Sequence, residues 1–211
     1  MSQPTGLLPT ATFPPLAWFH RAQHLGVAVC VNEHYVKQSL RNRVAMVGPE
    51  GPFDLSFPVH RRRASTRSIR DILFTERVQP KAFIRVLQTN CGKAPFFDHI
   101  IPEVEVWAHE HLVPGAPLVE ASLASTRWAC TWLDMAHPPI TQAYHKNVPY
   151  DHRPKAAWRG LTTPTYPQVF EDRLGFVASR SILDVLFHIG PEAALLPSRH
   201  GNVDPEADRP S

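Results

Sequence analysis

The chain has 211 residues, of which 43% are hydrophobic, and a formal net charge of +3. This length suits one domain with a substantial core, and no apolar stretch approaches the roughly 20 residues that span a bilayer. No Lys or Arg precedes the first apolar residues, which argues against a secretory signal. The three cysteines are widely spaced and include no CxxC pair, so neither a disulfide framework nor a cysteine zinc site is expected, and a reducing cytoplasm is the expected location.

The first third of the chain alternates short strands with one helix. Apolar residues at helical spacing predict a helix over 16–25, and five consecutive apolar residues predict a strand over 27–31 that is buried on both faces. Apolar residues occupy every second position after the turn Gly48-Pro49-Glu50-Gly51, which predicts a β-hairpin. Its strands are predicted over 44–47 and 53–59, and further strands over 6–12 and 69–74.

The rest of the chain is mainly helical. Helices are predicted over 81–90, 96–110 (with Pro102 breaking or restarting it) and 118–135, followed by a long connection over 136–165, a strand over 165–170 and a helix over 181–189. Connections as long as 136–165 are usually functional or mobile. We therefore expect a single α/β domain over residues 1–197, with a mixed sheet, a β-hairpin and a helical middle segment. A disordered tail is expected over 198–211, where apolar side chains are nearly absent.

The segment EHYVKQSLRNR, residues 33–43, has the densest set of functional groups and directly follows the buried strand 27–31. Ligands in α/β folds bind where such strands end, so this segment is the favoured binding site. Lys37, Arg41 and Arg43 suit a phosphate or carboxylate. Glu33 or His34 is a candidate general base, and Tyr35 is a candidate for stacking on a ring.

The same residues also permit a structural interpretation. Asp184 lies among Ile182, Leu183, Val185, Leu186 and Phe187, so it needs a partner if it is buried, and an arginine is the expected one. Arg41 and Arg43 would then pair with carboxylates such as Asp184, and Asn42 would serve a turn. In that case the protein is a non-catalytic binding or scaffold protein with a buried ion network.

Positive charge is concentrated between Lys37 and Arg70, a segment with eight basic and two acidic residues. Such a field favours an anionic partner. Nucleic-acid binding through the arginines of residues 60–70 is a weaker alternative, because the net charge is small and no aromatic residues interleave the basic run. The favoured partner is an anionic small molecule.

Other groups of residues are weaker candidates for a functional site. Ser181, Asp184 and His188 share one helix stripe, but Ser181 with Asp184 three residues later matches a capping box better than a catalytic triad. His20 and His24 have a metal-compatible spacing without a third ligand, so no metal site is expected. No P-loop, dinucleotide-binding or hydrolase-elbow motif occurs, and the residues identify no cofactor.

The ordered motifs resemble those of the WbqC-like family over about Leu8 to Leu196. EHYVKQSLRNRVAMVGPEGPFDLSFPV is similar to its central motif, GKAPFFDHIIPE to its aromatic segment, and YDHRP with TYPQVFEDRLGFVASRSILDVLFHIGPEA to its closing signature. The matching positions are Glu33, Tyr35, Lys37, Asn42, Arg43, Asp151, Arg153, Tyr166, Gln168 and Asp184. The chain departs from the family pattern in QPKAFIRV, which has no histidine, and at Ser179-Arg180.

The resemblance implies a role in bacterial O-antigen or other surface-polysaccharide biosynthesis. It implies acyl or aminoacyl transfer to sugars as the activity, with a sugar nucleotide or an acyl donor as the anionic ligand. Glu33, His34 and Asp184 would then be the catalytic residues, and Tyr35, Lys37, Arg41, Asn42, Arg43, Asp151, Arg153, Tyr166 and Gln168 would bind the ligand. Whether the protein is an enzyme stays open.

Overall fold

A computed structural model describes residues 3–24, 26–60, 68–161 and 163–198. Eight strands are assigned in these ranges: β1 (Gly6–Pro9), β2 (Val27–Cys30), β3 (Arg43–Gly48), β4 (Gly51–Ser56), β5 (Val59–His60), β6 (Leu73–Phe74), β7 (Ile140–Thr141) and β8 (Tyr150–Asp151). The α-helices of the same ranges are α1 (Leu16–Ala22), α2 (Pro80–Cys91), α3 (Phe97–His111), α4 (Leu118–Trp132), α5 (Glu171–Leu174), α6 (Ile182–Ile189) and α7 (Leu195–Ser198). Together these elements form an α/β domain, as the sequence predicts.

Four strands form a parallel sheet in the order β7-β2-β1-β8. Gly6 of β1 pairs with Val27 on one side and with Tyr150 on the other, and Val29 pairs with Ile140. The chain moves from β1 through β2 to β7 in one direction and then returns to place β8 on the other side of β1. The strand order therefore reverses between β1 and β8, and this is where open α/β sheets bind ligands, beyond the carboxyl ends of the strands.

Both outer strands of the sheet lie inside residues 136–165, which the sequence predicts to be a connection. β7 and β8 have two residues each, which is too short for alternation of apolar and polar residues to be recognised in the sequence. The backbone N–H of Val29 donates to Pro139 at 2.8 Å and that of His152 donates to Leu7 at 2.9 Å, so tertiary pairing defines these strands. The strand predicted over 165–170 is wrong, since this segment has no strand and leads into α5.

The predicted hairpin is confirmed as β3 and β4, which pair antiparallel from Arg43↔Ser56 to Gly48↔Gly51. Alternation along β3 buries Val44 and Met46 completely. Arg43 and Ala45 lie on the opposite face and are half-buried. The side chain of Arg43 therefore points away from the core.

The helices pack around an aromatic core next to this hairpin. Phe13, Phe57, Phe83 and Trp107 lie with ring centroids 4.4–6.5 Å apart. α3 passes through Pro102 without interruption, whereas the sequence predicts a break there. The strand predicted over 69–74 is instead a 3₁₀ turn over Ile69–Asp71 followed by β6.

Two segments to which sequence predictions apply lie outside the described residues. They are 61–67, which holds four of the arginines considered for nucleic-acid binding, and the tail from residue 199 onward; Ser198 ends α7. Among the described residues, no helix has both the length and the apolar character needed to cross a membrane.

Candidate functional site

The carboxyl ends of β1, β2 and β8 meet around a buried ion pair between Glu33 and Arg41. Each of these side chains is 1% exposed. Arg41 Nε donates to Glu33 Oε1 at 3.1 Å, and Arg41 Nη2 donates to Glu33 Oε2. The backbone N–H and the hydroxyl of Thr10 donate to the same carboxylate, at 2.9 and 3.0 Å. Burial raises the pKa of Glu33, and the hydrogen bonds from Arg41 and Thr10 act in the opposite direction.

Arg41 also connects two loops that follow the sheet. Its Nη1 donates to the Ser39 hydroxyl at 3.2 Å, and its Nη2 donates to the Arg153 carbonyl oxygen at 3.0 Å. The Arg41 carbonyl oxygen accepts from the Thr12 hydroxyl at 2.8 Å. We call Thr10, Glu33, Ser39, Arg41 and Arg153 the Arg41 network. The buried charges of Glu33 and Arg41 neutralise each other, which offsets the cost of removing them from water.

A second ion pair, between Asp151 and Arg153, lies at the end of β8. Arg153 Nε and Nη2 donate to the two oxygens of Asp151, each at 2.8 Å. Arg153 Nη2 also donates to the His145 carbonyl oxygen, and the guanidinium lies 4.8 Å from the centre of the Tyr144 ring. Burial raises the pKa of Asp151, but the hydrogen bonds from Arg153 outweigh it and hold this pKa below its usual value.

Asp184 lies at the start of α6 and is fully buried. Its carboxylate accepts from the Tyr166 hydroxyl at 2.6 Å, from the Val47 backbone N–H at 3.2 Å and from Gln168 Nε2 at 3.4 Å. The arginine predicted as its partner does not take this position: Arg41 pairs with Glu33, and Arg43 pairs with Asp54. Burial raises the pKa of Asp184. We call Val47, Tyr166, Gln168 and Asp184 the Asp184 cluster.

Ser181 caps α6, as the sequence predicts, but Asp184 does not complete the predicted capping box, because its carboxylate accepts from Val47 and Tyr166 instead. Its hydroxyl accepts from the Leu183 N–H at 3.1 Å and donates to the Phe13 carbonyl oxygen at 2.7 Å. The Ser181 N–H donates to the Ala45 carbonyl oxygen at 2.6 Å. The cap therefore joins α6 to both β3 and the loop that follows β1.

An open cleft of about 270 Å³ lies at the point where the strand order reverses. Its walls come from segment 13–17 after β1, segment 38–40 after β2 and segment 155–161 after β8. The outer face of the β3–β4 hairpin and the 179–181 segment close the remaining sides. We call this cavity the Arg43 cleft, after the arginine that lines it.

The Arg43 cleft carries three cationic side chains, Arg43, Lys155 and Arg159, and the carboxylate of Asp54. Lys155 and Arg159 are exposed, and Arg43 is 33% exposed. Trp158 adds an aromatic ring, whose Nε1 donates to the His152 carbonyl oxygen at 2.7 Å. The combination of three cations with the indole ring of Trp158 suits an anionic organic ligand.

Backbone strain is concentrated at the same place. In the described part of the chain, four non-glycine residues have a positive φ, and three of them line the cleft: Phe13 (43°), Gln38 (52°) and Ser179 (59°). A non-glycine residue in this region costs on the order of 1 kcal/mol or more, and such residues cluster at functional sites. The strain independently supports the Arg43 cleft as a site.

The structure separates the predicted site residues into groups. Arg43 alone of them lines the cleft, whereas Glu33, Arg41 and Arg153 form the Arg41 network and Tyr166, Gln168 and Asp184 the Asp184 cluster. Asn42 joins the hairpin to the Tyr35 hydroxyl, since its amide donates to Phe57 O and its oxygen accepts from Tyr35. The exposed side chains are His34, whose ring lies 5.2 Å from that of Tyr144, and Lys37.

Sequence reasoning missed the cleft residues Gln38, Lys155, Trp158, Arg159 and Ser179. The usable signal was the long connection 136–165, whose end KAAWRG combines two cations with a tryptophan. Among the described residues, no group of three or more His, Cys, Asp or Glu side chains forms a metal-binding arrangement.

Comparison with known proteins gives one match. The model of the WbqC-like protein family matches residues 10–153, more than half of the chain. Searches of curated proteins and of solved structures give no match. The matched range contains the Arg41 network and most of the segments around the cleft, and the chain therefore belongs to the WbqC-like protein family.

Proposed function

We propose that the protein binds an anionic small molecule in the Arg43 cleft. The observation that carries this proposal is the meeting of three cations, the Trp158 ring and three strained residues at the reversal of the strand order. Arg43 would bind the anionic group through its guanidinium, and Lys155 and Arg159 would add charge from the 155–161 segment.

The buried polar residues have a positioning role in this proposal. Arg41 holds Ser39 of one wall and the backbone of Arg153, two residues before Lys155 of another. Asp184 accepts the N–H of Val47 on β3, the strand that carries Arg43. Because Glu33 and Asp184 are 0–1% exposed, they act on the ligand through the walls they hold rather than by direct contact.

The volume of the cleft points to the kind of ligand. About 270 Å³ lies just below the range of roughly 300–1,000 Å³ typical of small-molecule sites, which suits a sugar phosphate or the phosphorylated end of a larger donor. With the family resemblance, this supports a sugar nucleotide or an acyl donor as the ligand and a cytoplasmic role in bacterial surface-polysaccharide biosynthesis. A transferase reaction would then take place at the open side of the cleft.

Calorimetric titration tests this proposal. The panel contains uridine-diphosphate sugars, a sugar 1-phosphate, acetyl-coenzyme A and an uncharged sugar, each titrated into the intact protein. We expect phosphorylated members to bind, the uncharged sugar not to bind, and Arg43→Ala or Lys155→Ala to weaken binding about tenfold or more, as loss of a charge-assisted contact implies. Arg85→Ala, which removes an exposed arginine of α2 outside the cleft, is the matched control.

A second candidate function is that of a non-catalytic scaffold. The internal hydrogen bonding of the Arg41 network and the Asp184 cluster favours it, because buried polar groups that bond to each other need no ligand. Absence of binding across the panel, or binding that is unchanged in Arg43→Ala, would contradict the first proposal and favour the scaffold.

A further inference from the structure

One acidic residue lies inside the cationic cleft. Asp54 Oδ2 is 3.3 Å from Arg43 Nη1, and both side chains line the cavity. The hairpin register explains the pairing: Asp54 is opposite Ala45, two residues along the same face from Arg43. Among the described residues that line the cleft, Asp54 carries the single carboxylate against three cations.

The ion pair between Arg43 and Asp54 is exposed and weak, so a ligand can separate it. The Arg43 side chain is 33% exposed and that of Asp54 is 47% exposed, and exposed pairs of this kind contribute little to stability. Asp54 has no second hydrogen bond or ion pair among the described contacts, so its side chain can rotate into solvent. Arg43 likewise has no other ion-pair partner in the described part of the chain.

We propose that Asp54 is an intramolecular competitor of the anionic ligand. Before the ligand binds, the Asp54 carboxylate forms an ion pair with the guanidinium of Arg43, and the ligand takes the place of this carboxylate. This inference rests on the proposed function of the cleft and adds the state of the site before the ligand arrives.

Displacement also narrows the class of ligand. A ligand carboxylate would exchange one carboxylate for another at Arg43 and gain little. A phosphoryl group has a charge of about −1.5 to −2 and three acceptor oxygens, so it can replace the Asp54 carboxylate at Arg43 and still offer charge and acceptors to the other cations of the cleft. The structure therefore points to a phosphoryl-bearing ligand rather than a simple carboxylic acid.

The test is a calorimetric titration of inorganic phosphate, with acetate for comparison, at constant ionic strength. The proteins are the intact chain, Asp54→Asn, Arg43→Ala and the double variant. Glu50→Gln is the matched control, because it removes the same charge from the exposed turn of the same hairpin outside the cleft. Unchanged thermal unfolding of Asp54→Asn checks that the fold is kept.

We expect Asp54→Asn to bind phosphate about three- to tenfold more tightly than the intact chain, and Glu50→Gln to change affinity less than about twofold. In the Arg43→Ala background, Asp54→Asn should give no gain, because competition requires Arg43. Acetate should bind the intact chain about tenfold more weakly than phosphate.

Three results would overturn the inference while phosphate binding itself persists: unchanged or weaker binding in Asp54→Asn, an equal gain in the Arg43→Ala background, or acetate binding as tightly as phosphate. Absence of phosphate binding in both the intact chain and Asp54→Asn would instead overturn the proposed function of the cleft, and the inference with it.

Discussion

Arg41 and Arg43 are two residues apart in one motif, yet they have opposite environments. Arg41 is 1% exposed, and its guanidinium donates to Glu33, Ser39 and the backbone of Arg153. Arg43 is 33% exposed and has one weak partner, Asp54, in an open cleft. The same side-chain type therefore supports the fold at one position and is available to a ligand at the other.

The difference shows that a dense polar motif mixes two kinds of residue. A charge that is buried and paired inside the protein is costly to disturb and is out of reach of a ligand. A charge on the open face of a strand is within reach of a ligand. Burial and hydrogen bonding, more than residue type, separate the Arg41 network from the Arg43 cleft.

The largest expected effect comes from Arg41. Arg41→Ala leaves the Glu33 carboxylate buried without its partner, so the free energy of unfolding should fall by about 3–5 kcal/mol. Urea denaturation followed by circular dichroism measures this change. Arg43→Ala is the matched control and should lose less than about 1 kcal/mol. Equal losses in the two variants would remove the distinction between them.

The second effect concerns Asp184. Asp184→Ala leaves the Val47 N–H and the Tyr166 hydroxyl without their acceptor, at a cost of about 1–3 kcal/mol for each buried group. Asp184→Asn keeps one acceptor oxygen for the Val47 N–H, and its amide can donate to the Tyr166 hydroxyl, so it should lose less, about 1 kcal/mol at neutral pH. A similar large loss in both variants would show that the negative charge, rather than the acceptor, stabilises the cluster.

The pH dependence of Asp184→Asn gives a further check. Because burial raises the pKa of Asp184 above its unfolded value of 3.8, the stability it contributes is fully present below about pH 3.8 and is lost as the pH rises through the raised value. The Asn side chain does not titrate, so the variant should gain stability relative to the intact chain across that window. A constant difference between pH 4 and pH 8 would contradict the raised pKa.

Asp151 should show a smaller effect with the opposite dependence on pH. Asp151→Asn breaks the bidentate contact with Arg153 and should cost about 1–2 kcal/mol at pH 7. Since the pKa of Asp151 lies below its unfolded value of 3.8, this stability is present above about pH 3.8 and is lost as the pH falls through the lowered value. The difference from the intact chain, measured by denaturation, should therefore shrink below about pH 4.

Much of the fold follows from local sequence patterns. The β3–β4 hairpin, its buried Val44 and Met46, and the Ser181 cap of α6 each result from a local pattern and agree with the structure. β7 and β8 do not, because two-residue strands exist only through pairing with β2 and β1. Local patterns therefore predict the hairpin and most helices but not the edges of the sheet.

The site is less predictable for a related reason. Arg43 is identifiable from its motif, but Lys155 and Arg159 lie more than 110 positions away and reach the cleft only because β8 pairs beside β1. The motif also contains Glu33 and Arg41, and the sequence does not show that the two neutralise each other. Which charges are satisfied depends on long-range contacts.

The most direct test of this account is a titration of the isotopically labelled protein with millimolar inorganic phosphate, followed through its amide nuclear magnetic resonance signals. We expect the largest shift changes at the cleft residues Gln38, Ala45 and Ser179 and small changes at Thr10 and Glu33. The changes at the cleft residues should be lost in Arg43→Ala. Largest changes at Thr10 and Glu33 that persist in Arg43→Ala would contradict this account.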